Sequence, residues 1–310
     1  MTVKELRIDN RDWFLLIVLS ILWAGSYFFA GVAVKELPPL TIVLARVALA
    51  AAVLAPIHWM IVGRLPSSFG GWLPFVVMAL LNNVIPFSLI VSGQTQIASG
   101  LASVLNATTP LFTTLVLGFS GDEKLLARRI LGVAIGIGGV AILRGASFSL
   151  ADSQAAGTLM CLGTALSYGF AGLWARRRLG GIAALTSATC QLVSSSAMML
   201  VLAGFVEQPW LLAAPSLPVW ASLLGFAVLS TALAYIVFFK ILERSGASNV
   251  MLVTLLIPVT AILLGHFVLG EPVIQREIIG ALVIASSLLI IDGRLPRALA
   301  NLRPDSRPRA

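Results

Sequence analysis

The sequence predicts an all-α polytopic membrane protein: ten transmembrane helices in two inverted five-helix repeats, with both termini cytoplasmic. Three observations carry this. Of 310 residues, 58% are hydrophobic and 11% charged, far too apolar for a soluble domain of this length. Apolar runs on the scale of a bilayer-crossing helix, roughly 17 to 25 residues, can be drawn ten times along the chain. The chain also repeats itself. A shift of 148 positions pairs Pro110 with Pro258, Glu123 with Glu271, Arg128 with Arg276 and Gly132 with Gly280. Proline, at 15 of 310 residues, and glutamate are far less frequent here than leucine, so their coincidence weighs more than matching leucines.

The first five runs are Trp13 to Val34, Leu40 to Val62, Trp72 to Gly93, Ala98 to Phe119 and Ala127 to Leu143. The second five are Ala155 to Ala175, Ile182 to Phe205, Leu217 to Phe239, Ala247 to Leu269 and Ile278 to Ile291. The first repeat is thus 12–143 and the second 155–292, joined by a linker at 144–154 and followed by a basic cytoplasmic tail at 293–310. Connections are short, so function is expected inside the bundle. The charged start followed by an apolar run without a small-residue cleavage site reads as an uncleaved first helix.

Basic residues orient the bundle. With the N-terminus inside, segments on the cytoplasmic side hold 17 Lys and Arg against 3 outside (Lys35, Arg144 and Arg276), leaving Arg46 within the second helix. The net charge of +8 therefore reports topology and attraction to anionic lipid, and no nucleic-acid partner is needed to explain it. An odd number of helices per half makes the repeats enter the bilayer from opposite sides. Inverted repeats with interrupted helices near the midplane are the pattern of secondary transporters working by alternating access.

Pro110 and Pro258 each remove an amide donor and leave the carbonyl four residues back, of Asn106 or Thr254, without its helical partner. Pro86 does the same to Asn82. Asn82, Asn83 and Asn106 are amides at membrane depth, where an unpaired polar group costs several kcal/mol; bonding between helices is the alternative to a binding role. Asn83 and Asn106 stand ahead of Asn82 because their repeat partners, Thr231 and Thr254, are also polar. A shift of 145 brings Trp23 opposite Tyr168 and Arg46 opposite Gln191, and the shift of 148 also brings Phe87 opposite Tyr235. Trp23 near the bilayer centre needs a partner for its indole nitrogen, or packs in the core, and Tyr27 lies one turn on, on the same side. The remaining tryptophans near helix ends read as interfacial anchors.

Arg46 sits about a turn and a half inside helix two and can snorkel outward. The alternative is an external gate closed by a carboxylate, for which Glu271 is available, with Glu123 its counterpart inside. The glycines of helix five (Gly132, Gly136, Gly138, Gly139) permit close helix contact, within a monomer or across a dimer. Cys161 and Cys190 lack metal or redox spacing and read as packing residues. His58 and His266 lie toward opposite surfaces, and neither a metal set nor a Ser-His-acid arrangement can be assembled at one depth. No cofactor, metal site or enzyme is expected.

These residues resemble a known group. The Leu22-Trp23-Ala24-Gly25-Ser26 run, Arg46, the Pro110, Glu123 and Gly132 spacing with its echo, and the arginines ending helix six are similar to the drug/metabolite transporter superfamily, in its EamA-type branch. The general look resembles the YddG-type amino-acid exporters. One departure is Ala24, which separates Trp23 from Gly25 where that group usually reads Trp-Gly. The resemblance implies a cavity walled by helices one, three, four, six, eight and nine, in a multi-pass protein of the bacterial inner membrane, monomeric or dimeric. Trp23, Tyr27, Asn83, Phe87, Asn106, Pro110, Tyr168, Thr231, Tyr235, Thr254 and Pro258 are then the substrate-binding candidates. Because no acidic residue falls at mid-depth to select a cation, a polar, net-neutral solute such as an amino acid is expected. With no mid-helix Asp, Glu, Lys or His to couple to protons, the simplest expectation is a facilitative carrier; drug or metabolite efflux by proton exchange is the alternative, with His266 in helix nine as its candidate group.

Overall fold

The computed structural model describes residues 9–123, 125–144, 153–245, 250 and 252–292. The linker residues 145–152, residues 246–249 at the start of the ninth run, and the tail from 293 lie outside them. Among the described residues the chain is helical, and seven stretches are long and apolar enough to cross a membrane. These are α1 (Asn10–Ala33), α2 (Pro39–Ile61), α3–α4 (Phe69–Ala79 and Ile85–Gln94), α5–α6 (Ser99–Asn106 and Thr109–Phe119), α8 (Ser153–Arg178), α9 (Ala184–Val206) and α10–α11 (Leu217–Ala227 and Ala234–Ser245). α12 (Val253–Leu269) is apolar but shorter. α7 (Ala127–Arg144) and α13 (Gln275–Asp292) carry charged residues at their ends, Arg128, Arg129 and Arg144 on one and Arg276, Glu277 and Asp292 on the other.

Two helices are interrupted in corresponding places by π-helical turns. Leu80–Val84 joins α3 to α4 and Val228–Leu233 joins α10 to α11. Their starts lie 148 positions apart, the spacing of the repeat. In the first, Pro86 cannot donate to Asn82, and the chain widens so that Ile85 donates to the Leu80 carbonyl five residues back. In the second no proline is present, and Ala234 donates to Leu229 in the same way.

The fourth run is broken at Ala107 and Thr108, and α6 restarts with Pro110 in its first turn, where a missing N–H costs nothing. Its counterpart behaves differently. Pro258 lies inside a continuous α12.

Packing interleaves the two halves. α1 lies against α10, α11 and α12, while α8 lies against α4, α5 and α6; α2 pairs with α9 and α7 with α13. The first helix of each half thus packs on the third and fourth of the other. The α7–α13 contact is the closest: a Cβ on Gly280 would stand 2.9 Å from the Gly139 carbonyl oxygen, and one on Gly139 would stand 3.1 Å from that of Gly280. Gly132 and Gly136 meet Ser287 on the same face, whereas Gly138 faces open space, so three of the four glycines named above serve packing inside the chain.

One core cluster runs through the middle of the bundle and includes Tyr27, Leu54, Phe87, Leu105, Cys161, Leu192 and Phe226. A second, of Leu16, Leu19, Ala234, Ile241, Val250 and Val253, fills the end at which the chain enters. Large apolar side chains such as Phe14, Phe119, Leu200, Phe205 and Leu282 stand exposed around the outside, as a lipid-facing surface requires.

Candidate functional site

α2 is apolar on every side, so the helix itself does not determine which way Arg46 faces; contacts with α4, α9 and α10 do. They turn it inward. Arg46 is 7% exposed, with its guanidinium carbon 3.7 Å from the centroid of the Phe87 ring and 4.2 Å from that of Phe226. Both rings present the negative face that attracts a guanidinium. Nε–H donates to Thr231 Oγ1 at 3.1 Å. The hydroxyl of Thr231 donates in turn to the Phe226 carbonyl at 2.9 Å, which leaves its oxygen free to accept from Arg46. All three tyrosines of the chain, Tyr27, Tyr168 and Tyr235, lie close enough to interact electrostatically with Arg46.

This differs from both readings of Arg46 given above. It neither snorkels outward nor meets Glu271, and among the described residues no carboxylate pairs with it. Glu271 is instead occupied at the end of the bundle opposite the chain's entry, where its carboxylate accepts from the Ser99 amide at 2.9 Å and the Gly100 amide at 3.3 Å.

Beside Arg46 runs a chain of amides and hydroxyls. Asn83, fully buried, donates to Ser195 Oγ at 2.9 Å, and Asn82 donates to Gln191 Oε1 at 3.1 Å and Asn83 Oδ1 at 3.3 Å. Asn82 also bonds Tyr235. Arg46–Thr231 and Gln191–Asn82 are nearly equivalent contacts, since Arg46 aligns with Gln191 and Thr231 with Asn83 in the repeat. Tyr27 joins from α1: its hydroxyl accepts from Asn106 Nδ2 at 2.8 Å and its carbonyl from Gln94 Nε2 at 2.8 Å.

The structure therefore gathers Tyr27, Arg46, Asn83, Phe87, Asn106, Tyr168, Thr231 and Tyr235 into one region. It leaves four other candidates apart. Trp23 packs on Phe238, with centroids 5.5 Å apart, in the apolar cluster at the entry end. Thr254 and Pro258 line an apolar groove between α5, α12 and α13, next to the exposed Val259, Leu263 and Leu282. Pro110 starts α6, but the Asn106 carbonyl that it frees is taken by the Thr109 hydroxyl at 2.7 Å, so it does not stand open for a ligand. His266 is exposed, its Nδ1 3.0 Å from the Glu271 carbonyl oxygen, and belongs to the surface.

Phe226 and Gln94 carry no sequence signal of their own; only the approach of α10 and α4 to the centre reveals them. Gln191 was visible as the repeat partner of Arg46. His58 was visible only by position: it is fully buried at the entry end, with Nε2 3.0 Å from Thr186 Oγ1 and Nδ1 without a partner among the described residues.

Both ends of the bundle are bridged between the halves. At the entry end Glu123 pairs with Arg129 and Arg176, Asp122 with Arg177 at 2.9 Å, and Arg244 with Asp9 at 3.0 Å and Asp12 at 2.9 Å. At the opposite end, besides Glu271, Glu207 accepts from the amides of Leu40 at 2.9 Å and Thr41 at 2.6 Å, and Glu36 accepts from the amide and hydroxyl of Ser216 at 2.7 and 2.6 Å.

A buried polar cluster midway along an apolar helical bundle, closed at both ends by contacts between the halves, fits a multi-pass membrane transporter. The EamA-like transporter family model matches residues 12–145 and 155–292, and the chain belongs to that family. It is similar to the uncharacterized transporter YoaV of Bacillus subtilis, at 27% identity covering 89% of this chain and 94% of that protein. It is also similar to a probable amino-acid metabolite efflux pump of Salmonella typhimurium, at 24% identity and 91% and 95% coverage, and to the uncharacterized inner membrane transporter YedA of Escherichia coli, at 24% identity and 89% coverage of each. A solved crystal structure, 18% identical, superposes with a TM-score of 0.66 over 94% of this chain and 99% of that one, a likeness of fold.

Proposed function

We propose that the protein exports amino acids or similar small, net-neutral metabolites across the bacterial inner membrane by alternating access. Ten helices cross the bilayer in two inverted halves, with both termini cytoplasmic. The observation that carries this reading is the polar cluster at the centre, drawn from both halves, between two sets of inter-half bridges. Opening one set while the other holds would expose the cluster to each side in turn. Amide and hydroxyl groups dominate the cluster, so a zwitterion finds partners for both ends, and Phe87, Phe226 and the tyrosines can receive an apolar side chain. The efflux pump among the relatives supports the same substrate class.

The carrier runs facilitatively, because the cluster holds no carboxylate, lysine or histidine among its described members. Purified protein in liposomes should equilibrate labelled amino acids at a rate little changed by a pH gradient. Movement of organic cations but no amino acid would overturn the substrate reading. One observation favours the alternative of proton exchange: the unpartnered Nδ1 of His58 at the α2–α9 contact. Accumulation driven by a proton gradient, lost in His58→Gln, would establish it.

A further inference from the structure

We infer that Arg46 is the anchor for a carboxylate on the transported solute, so that the site selects against amines and amides of the same shape. This rests on reading the central cluster as the transport site. A guanidinium carries five N–H donors in one plane. Nε–H is spent on Thr231, and the two rings cover the guanidinium carbon. The two terminal nitrogens make no hydrogen bond among the described residues, and neither is sealed from small probes as the unpartnered hydroxyls of Ser194 and Ser230 are. Four donors are thus left at the in-plane edge, the arrangement that grips a carboxylate through two parallel bonds.

The charge balance points the same way. A cation held inside a membrane bundle without a carboxylate is costly, and such residues almost always pair with one another or line a substrate path. Near the ends of the bundle Glu123, Asp122, Asp9 and Asp12 pair with other arginines and Glu36, Glu207 and Glu271 accept from amides, so none of these seven carboxylates balances Arg46. The phenols of Tyr27, Tyr168 and Tyr235 lie near Arg46 but carry no charge near neutral pH, so they do not balance it. The missing negative charge arrives with the solute. Asn83 Oδ1 and Gln191 Oε1 each accept one hydrogen bond, from Asn82, and keep a second lone pair that suits an ammonium, so the two ends of an α-amino acid find different partners.

The test uses the full-length protein in detergent and in liposomes, with probes that separate the two charges. L-phenylalanine and L-leucine carry both, 3-phenylpropionate the carboxylate alone, phenethylamine the ammonium alone, and L-phenylalaninamide a neutralised carboxyl. Thermal stabilisation of the wild type by at least one carboxylate probe, and none by its amide or amine counterpart, is expected. In liposomes Arg46→Gln should lose roughly 10- to 100-fold of the carboxylate-to-amide preference, the range of a charge-assisted bond, with Arg46→Lys between the two. If no carboxylate binds better than its amide, whether both bind or neither does, the inference is overturned; the wild-type measurement decides this even if the variants fail to fold. Stabilisation by 3-phenylpropionate without transport of any amino acid would keep the anchor and remove the amino-acid reading, so the two fail separately.

Discussion

The two ends of the bundle solve one problem with different chemistry. Each holds the halves together, and under the alternating access proposed each must also let go in turn. The entry end uses arginine–carboxylate pairs, and the opposite end sets carboxylates on the first N–H groups of helices: Glu271 at the start of α5, Glu207 at the start of α2, Glu36 at the start of α10. With the entry end cytoplasmic, as proposed, the reason is the positive-inside bias. Arginines that fix orientation are at hand inside, while the outside has few, so its carboxylates turn to the partial positive charge of helix N-termini. Ion pairs tolerate loose geometry and are screened by salt. A cap needs its backbone in place.

The largest effect is therefore expected at Glu271. Glu271→Ala leaves the amides of Ser99 and Gly100 without their acceptor in a part-buried setting, which costs about 1–3 kcal/mol. The melting temperature in detergent should drop, and amide exchange at Ser99 and Gly100 should accelerate, with Glu271→Gln milder because it keeps one acceptor oxygen. Unchanged exchange at both positions would mean that the cap does not hold this end.

The entry end should respond less to a single change and more to salt. The Arg176 side chain is 51% exposed and Glu123 30%, and such pairs are worth about 0.2–1 kcal/mol. Arg176→Gln should shift melting only slightly, and Arg129 still holds Glu123. Raising ionic strength toward molar salt, where the Debye length falls to about 3 Å, should speed exchange around residues 120–123 while leaving 99–100 unchanged. Equal acceleration at both ends would erase the distinction.

Much of this was legible in sequence, and the limits have a physical cause. Apolar runs located the helices, a shift of 148 positions matched Asn83 with Thr231 and Glu123 with Glu271, and a shift of 145 matched Arg46 with Gln191. Depth in the membrane can be read from position in a run. Azimuth cannot, because helices apolar on all sides give no preferred face; hence Arg46 could be read as snorkelling and Trp23 as lining the cavity. The two prolines looked alike and behave differently, since Thr109 supplies a hydroxyl to the freed carbonyl at a true break in the helix, whereas Pro258 sits within an unbroken one. The π-helical turn at Val228–Leu233 has no proline at all and was invisible.

The smallest expected effect lies at Glu36, and it sharpens the comparison through pH. The hydroxyl of Ser216 and then its amide, both bonded to the carboxylate, hold the pKa of Glu36 below the ordinary glutamate value of 4.5. A depressed folded-state pKa contributes stability that is fully present above the unfolded value and is lost as pH falls through the folded one. The gap in melting temperature between wild type and Glu36→Gln should therefore stay constant from neutrality down to about pH 5 and close below the ordinary carboxylate range. Ser216→Ala, which keeps the amide donor but removes the hydroxyl, should narrow the gap and move its closure toward pH 4.5. A gap that persists unchanged in acid would show that Glu36 acts through packing and not as an ionised cap, and the opposite end would then rest on Glu207 and Glu271 alone.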